Sequence, residues 1–190
     1  METKIKSDPY NAEWAHLTRV TDIVKFSGLS DFSGIPERDR DYYFDRGTAN
    51  HQAWQMVEEG TAGGFDFDPE VTQYMEAHAN FLRDTGFRAL PGGIEMRVHS
   101  EDLGIKGTLD RIGTIQGRVI LCDYKTTKPT AGTALQTALY LLCLPGYRFA
   151  EVERYGVGFA KGGKYTMSSK YSLSDENDAR YWCAKFKEAA

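Results

Sequence analysis

Apolar side chains recur at helical spacing through the first half of the chain. This spacing predicts a short helix over residues 18–27, ended by Gly28, and a longer helix over about 36–59, ended by Gly60. A third helix begins at Asp68-Pro69, because aspartate is a favoured N-cap and proline a favoured first helical residue. His78 lies within the apolar stripe of this helix, so we expect a packed core histidine and not a metal ligand.

Strand-like alternation takes over in the middle of the chain. It predicts strands over 93–100, 104–115 and 118–125, the last two joined by a tight turn at Gln116-Gly117. A helix over 131–144, strands over 151–160 and 164–173 joined by Gly162-Gly163, and a final helix capped by Ser174 follow. This order of elements predicts an α/β fold in which helices flank a central mixed β-sheet on two sides.

The composition is that of an ordinary globular chain. It has 190 residues, of which 41% are hydrophobic and 26% charged, and it shows no repeat or linker. We therefore expect one domain over 1–190, with an arm and helices over 1–60, a core over about 61–173 and a C-terminal helix over 174–190. No secretory signal and no membrane-spanning run is present, so we expect a cytoplasmic protein with no membrane partner.

Cysteine usage and net charge narrow the possible classes further. Cys122, Cys143 and Cys183 are too widely spaced for a zinc motif or a disulfide framework, so free, buried thiols are expected. The formal charge of −4 counts mildly against a nucleic-acid partner, unless basic side chains gather on one face. Several basic residues are candidates for phosphate contacts, although such residues more often form solvated faces: Arg38, Arg40, Arg46, Lys161, Lys164 and Lys170.

The strongest candidate chemistry lies between Gly107 and Lys125. Because side chains alternate along a strand, Asp123 and Lys125 point to one face and Tyr124 to the other, and Asp110 lies on the preceding strand. Two carboxylates in one small patch repel each other, and a hard divalent cation relieves that repulsion. A surface ion pair is the simpler alternative, but the flanking residues are apolar, and unpaired charge is costly there. The patch therefore indicates metal-assisted attack on a phosphate.

Four short motifs carry a resemblance to a known family. They are Gly47-x-x-x-His51 on the long helix, Gly107-Thr-Leu-Asp110 and Asp123-Tyr124-Lys125 on neighbouring strands, and Gln136-x-x-x-Tyr140 on the next helix. In this order they resemble the PD-(D/E)XK nuclease superfamily, in its RecB-like and phage-exonuclease branch, with Leu109 where the superfamily name has proline. Glu95 resembles the glutamate that this branch carries on the strand before the first acidic motif.

The resemblance implies a restriction-endonuclease-like core and a role for each motif residue. His51, Asp110, Asp123 and the backbone carbonyl of Tyr124 would ligate Mg²⁺ or Mn²⁺, and the histidine favours Mn²⁺. Lys125 would orient the attacking water or stabilise the transition state. Gln136 and Tyr140 on the helix would line the cleft. The strand glutamate, Glu95, would also belong to the site. Each of these roles has a simpler structural alternative. His51 would be a half-buried helix residue with a local hydrogen bond, Gln136 and Tyr140 would lie on the helix beside the core, and Glu95 would be a solvated strand residue.

The resemblance further implies a metal-dependent DNA exonuclease that leaves 5′-phosphate ends, in phage recombination or DNA processing. A flap-, junction- or single-strand-specific endonuclease of the same fold is an alternative, and so is a non-catalytic nucleic-acid-binding module. DNA is the expected partner, and by analogy alone a single-strand annealing protein is a second. No iron–sulfur cluster is expected, because relatives that hold one use four cysteines and this chain has three.

Overall fold

A six-stranded mixed sheet forms the centre of the computed structural model, which describes residues 13–30 and 36–189. The strands are β1 Thr18–Arg19, β2 Arg88–Ser100, β3 Ile105–Ile115, β4 Arg118–Lys125, β5 Val152–Phe159 and β6 Tyr165–Met167. The helices are α1 Val20–Phe26, α2 Arg40–Glu58, α3 Pro69–Thr85, α4 Ala131–Leu142 and α5 Asp175–Ala189, and a 3₁₀ turn spans Glu37–Asp39. The predicted arm lies outside the described residues up to position 12, and residues 31–35 and 190 lie outside them too.

Local sequence signals place several element ends where the pattern predicts them. The Asp68 carboxylate accepts the N–H of Glu70 at 2.7 Å at the start of α3, and Gly86 ends this helix in the left-handed conformation. Gln116 and Gly117 both have positive φ, at 50° and 79°, which is the geometry of a type I′ hairpin turn. Strand β4 has the predicted bounds.

Other bounds differ from the prediction. The strand predicted over 164–173 is wrong beyond Met167, because the Ser168 side chain accepts the N–H of Gly156 and takes the place of a backbone partner. The first helix begins at Val20, since the two residues before it pair with β3. Strand β2 begins at 88 and not at 93, because its first residues also pair with β3 across a shift in register. Helix α4 ends at Leu142, two residues early.

Helices cover the sheet on both faces, as predicted. Helices α1, α4 and α5 pack on one face around Val20, Ile23, Leu139 and Cys183, and helices α2 and α3 pack on the other around Trp54, Tyr74 and Phe81. Alternation along β4 serves both layers: Leu121 belongs to the first core, and Cys122 and Tyr124 belong to the second. All three cysteines are free and buried. No helix of the described residues is long and apolar enough to cross a membrane.

One edge of β3 is shared by two strands that do not meet. β1 pairs with it in parallel at Ile105 and Lys106, and β4 pairs with it in antiparallel from Arg111 onward. β2 occupies the opposite edge along the same stretch. Over residues 107–110, no strand of the described ranges pairs with the edge between β1 and β4. This gap opens the sheet at the first acidic motif.

The two-layer packing predicts a large loss of stability for Phe81→Ala. Phe81 is fully buried in the second core, where its ring contacts those of Phe87, Tyr124 and Phe159. We expect its truncation to lower the free energy of unfolding by about 3–5 kcal/mol, measured by urea denaturation. Phe65, which is 57% exposed, offers a matched control, and Phe65→Ala should change stability by less than about 0.5 kcal/mol. Equal losses for the two variants would contradict this packing.

Candidate metal centre

The gap beside β3 brings the two acidic motifs together. The β3–β4 ladder stops at the Arg111–Cys122 pair, and beyond it the backbone N–H of Tyr124 donates to Asp110 Oδ2 at 2.6 Å. A carboxylate thus takes the place of the next ladder carbonyl and satisfies a buried donor. The first acidic side chain is thereby fixed beside the strand that carries the second.

Helix α2 delivers His51 to the same place. Its Nδ1 lies 3.2 Å from Glu95 Oε1 and 3.7 Å from Asp110 Oδ1, and its Nε2 lies 3.0 Å from the carbonyl oxygen of Tyr124. Burial works to lower the pKa of the imidazole, but the charges of Asp110 and Glu95 outweigh it and the pKa is raised. Both ring nitrogens face acceptors, and a neutral imidazole carries only one proton, so the second nitrogen needs either a further proton or a metal cation.

Ligand atoms of His51, Glu95 and Asp110 lie within 4.8 Å of one another. Glu95 adopts a φ of 46°, which few side-chain-bearing residues do and which costs about 1–3 kcal/mol. Burial works to raise the pKa of its carboxyl, but the bonds and charges of His51 and Arg111 lower it overall. Glu95 is therefore held as a carboxylate in a strained position, facing the imidazole.

Asp123 lies next to this cluster but outside it. Its side chain is 1% exposed, and its Oδ2 lies 2.5 Å from the Lys125 ammonium, on the face that alternation predicts. Burial raises the pKa of its carboxyl to about 7, and the charge of Asp110 adds to the rise against the opposing effect of Lys125. Its Oδ1 is buried and accepts no hydrogen bond from the described residues. An acceptor left open in this way is a suitable ligand for a cation.

The motif on α4 reaches the same patch through Lys125. The ammonium donates to Gln136 Oε1 at 3.3 Å, and Gln136 Nε2 donates to the Tyr140 hydroxyl at 3.1 Å. Burial works to lower the pKa of Lys125, but the neighbouring carboxylates of Asp123 and Asp110 raise it, so the group stays charged. The motif glycine has a packing reason, because a Cβ at Gly107 would lie 2.6 Å from a Tyr140 ring carbon.

A cleft of about 460 Å³ opens from this patch toward solvent along the gap in the sheet. Its lining includes Asp110, Gln136 and Tyr140 together with three basic side chains, those of Arg19, Arg97 and Lys106. Cationic walls beside an acidic floor favour an anionic ligand whose phosphate meets a metal ion. The basic residues that the sequence singled out are different ones, because only the pairing of β1 with β3 brings positions 19 and 106 together.

Two further residues of the site have no signature in the periodicity. Arg111 is fully buried and donates to Glu95 Oε1 at 2.9 Å and to the Asp110 carbonyl at 2.6 Å. Glu58 accepts its Nε–H at 2.8 Å. The sequence did contain one signal for them, which is the charged Arg111 in an otherwise apolar strand. A buried arginine requires an acidic partner, so such a residue indicates that a carboxylate lies nearby.

Comparison with known proteins now identifies the family. A sequence model of the PD-(D/E)XK nuclease superfamily matches residues 34–188. The chain belongs to this superfamily. Its fold resembles the crystal structure of a proposed exonuclease from Eubacterium rectale, with a TM-score of 0.60 and 12% identity over 100% of this chain and 85% of the other. A search of the curated proteins gives no match.

PD-(D/E)XK nucleases use divalent metals, and the residues present fit one. The donor set combines an imidazole, carboxylates and a backbone carbonyl, which suits Mg²⁺ or Mn²⁺. Two of the candidate ligand atoms have unmet interactions. Nε2 of His51 faces another acceptor, the Tyr124 carbonyl, and the buried Oδ1 of Asp123 accepts no hydrogen bond from the described residues. A cation at this place would satisfy both.

The electrostatics of this site predict weaker Mn²⁺ binding at low pH. Asp123, whose pKa is raised to about 7, takes up a proton as pH falls from about 8 to about 6, and His51, whose pKa is also raised, becomes protonated at a higher pH than a free imidazole. An imidazolium repels a cation and a neutral carboxyl is a poor ligand, so the apparent affinity should fall over this range. Isothermal titration with MnCl₂ at several pH values measures it.

Two variants distinguish the contribution of His51 to the pH dependence of Mn²⁺ binding from that of a histidine outside the site. His51→Gln should bind Mn²⁺ more weakly at about pH 8 and show a smaller change with pH. His16, an exposed histidine 2.9 Å from Glu101, is the matched control, and His16→Gln should keep the wild-type curve. Equal wild-type affinity at the two ends of the range would contradict the electrostatic account.

Proposed function

We propose that this nuclease is a metal-dependent DNA exonuclease. The observation that carries the proposal is the ion pair of buried Asp123 with half-buried Lys125, beside Asp110 and His51 and at the end of a cleft with basic walls. The description of the structural relative as a proposed exonuclease supports the choice of exonuclease over endonuclease. The chemistry of the site supports phosphodiester hydrolysis, because a carboxylate pair, a lysine and an anion-attracting cleft suit attack on a phosphate.

His51 Nε2, the Tyr124 carbonyl, Asp110 and Asp123 are the proposed metal ligands. Glu95 lies close enough to ligate as well, but its Oε1 lies 3.2 Å from Nδ1, on the other side of the ring, and already accepts from Arg111. Asp110 Oδ1 is farther from that nitrogen, at 3.7 Å. Histidine ligands commonly donate their second ring N–H to a carboxylate, which fixes the ring and increases its basicity. Glu95 is therefore proposed as the residue that orients His51 toward the ion. This assignment keeps the four ligands that the family resemblance implies.

The remaining residues of the motifs act on the substrate and on the attacking water. When bound, the metal polarises the scissile phosphate and lowers the pKa of a bound water. Lys125 stays charged beside Asp123, so it is suited to stabilise the negative charge that develops on the phosphate. Gln136 accepts from Lys125 and holds its orientation. Burial and the nearby carboxylates keep the pKa of Tyr140 well above its usual value, so its hydroxyl remains a neutral donor to the substrate.

The cleft is the proposed path of one DNA strand. Arg19 and Arg97 are exposed, and Lys106 is half-buried with its ammonium near the Trp14 carbonyl. Three cations in one groove offset the acidic balance of the chain where phosphates approach. A role in phage recombination or DNA processing, and an annealing protein as partner, are part of the proposal by analogy only.

Closed circular DNA separates the proposed exonuclease from an endonuclease of the same fold. An exonuclease needs an end, so it should degrade linear duplex and leave a covalently closed circle intact. Cleavage of the circle at a comparable rate would favour the endonuclease. Tight DNA binding without cleavage in Mg²⁺ or Mn²⁺ would favour the non-catalytic module, although both acids and the lysine are present.

Loss of the acid or the lysine should abolish DNA degradation. We expect Asp123→Ala and Lys125→Ala to reduce the rate on linear DNA by about 100-fold or more, because each removes a group that acts at the developing charge. Lys185 is an exposed lysine that also contacts a carboxylate, Glu188 at 2.7 Å, so Lys185→Ala is a matched control with unchanged rate. Circular dichroism verifies folding. Full activity in both site variants would contradict the catalytic roles assigned to Asp123 and Lys125.

The basic lining of the cleft leads to a separate prediction about DNA binding. Arg19→Ala should weaken DNA affinity and reduce the slope of log K against log salt by about 1, because one phosphate contact is lost. Arg180, 53% exposed on α5, carries the same charge outside the cleft, and Arg180→Ala should change neither quantity. Fluorescence anisotropy in Ca²⁺ buffer measures binding. Identical effects of the two variants would show that only net charge matters.

A further inference from the structure

A chain of buried ionic contacts runs behind the metal centre and ends on its histidine. His78 Nε2 donates to Glu58 Oε1 at 3.0 Å, and Arg111 Nε donates to the same oxygen at 2.8 Å. Arg111 then donates to Glu95, whose Oε1 also faces His51 Nδ1 at 3.2 Å. The Arg111 side chain is fully buried and that of Glu58 is 5% exposed.

The contacts join all the elements that supply the proposed ligands. Glu58 lies seven residues after His51, two turns along the same face of α2, so both reach toward the sheet. Arg111 follows Asp110 on β3 and also donates to the Asp110 carbonyl, and it lies over the Tyr124 ring at 4.9 Å from the centroid. One guanidinium therefore touches the strand of the first acid, the glutamate facing His51 and the strand of the second acid.

We propose that Arg111, anchored by Glu58, is a positioning residue that sets the metal affinity of this site by holding Glu95 against His51. The inference rests on the proposed function, because it concerns the same ion. Glu95 needs such a restraint: its φ of 46° is strained, and its oxygen would otherwise be free to turn toward the ion or toward solvent. Outer contacts of this kind typically change metal affinity by about 10- to 100-fold when they are removed.

If Arg111 had a purely structural role, restoring stability would also restore metal affinity. A double variant can test this. Arg111→Met alone leaves Glu58 buried without its cation, so it should be strongly destabilised. Glu58→Gln combined with Arg111→Met removes both charges together and keeps the volumes similar. The double variant should therefore recover stability relative to Arg111→Met while Glu95 still lacks its donor.

Mn²⁺ alone is the probe, with affinity measured by electron paramagnetic resonance of the free ion at constant pH. We expect the double variant to bind Mn²⁺ about tenfold or more weakly than the wild type. We also expect the Mn²⁺ concentration for half-maximal DNA cleavage to rise by a similar factor, with the rate largely recovered at saturating Mn²⁺. Recovery of wild-type affinity together with stability would overturn the proposal.

The chain supplies a matched control in a second buried arginine. Arg154 is 1% exposed at the side chain and pairs with Asp175 at 2.8 Å, on the α4 and α5 side. Arg154→Met with Asp175→Asn should lower stability and leave Mn²⁺ affinity unchanged. An equal loss of affinity in this control would overturn the proposal, because it would trace the effect to general destabilisation. A wild type that binds no Mn²⁺ would overturn the proposed function too, whereas wild-type binding with an unaffected double variant overturns the positioning role alone.

Discussion

The burial of several carboxylates beneath one edge of β3 is the constraint on which the rest of the structure depends. Asp123 and Asp110 are both buried. Arg111 joins the carboxylates of Glu58 and Glu95 to the backbone of Asp110. Buried charge is costly unless it is paired, and the pairing here comes from distant parts of the chain. Most of the side chains that surround the site are explained by this need for compensation.

The interruption of the sheet turns that costly cluster into an accessible site. If β1 and β4 met along β3, the acids would be sealed between two layers of helices. Because they leave residues 107–110 without a neighbour on that edge, Asp110 caps the backbone of β4 while its cleft stays open. The same gap separates two charge environments, cations along the walls and acids at the floor. A polyanionic strand can be attracted by the walls and meet a cation at the floor.

Local patterns were sufficient to predict the layered α/β fold, the β4 strand and the helix that carries His51. Alternation placed Asp123 and Lys125 on one face because this depends only on a period of two. Arg111 and Glu58 were not predicted, since their contact spans 53 residues and no periodicity marks it. The end of β6 was predicted six residues too late for a similar reason: a serine side chain satisfies the next N–H of β5, which a pattern of apolar residues does not show. The basic lining of the cleft depends on a two-residue strand too short to recognise.

The central proposal is that an imidazole, a backbone carbonyl and two acids bind one divalent ion. Anomalous diffraction from a crystal soaked in MnCl₂ tests it most directly. We expect a manganese peak within about 2.5 Å of His51 Nε2, the Tyr124 carbonyl and the carboxylates of Asp110 and Asp123. A protein that takes up manganese only elsewhere, or none at this cluster, would contradict it.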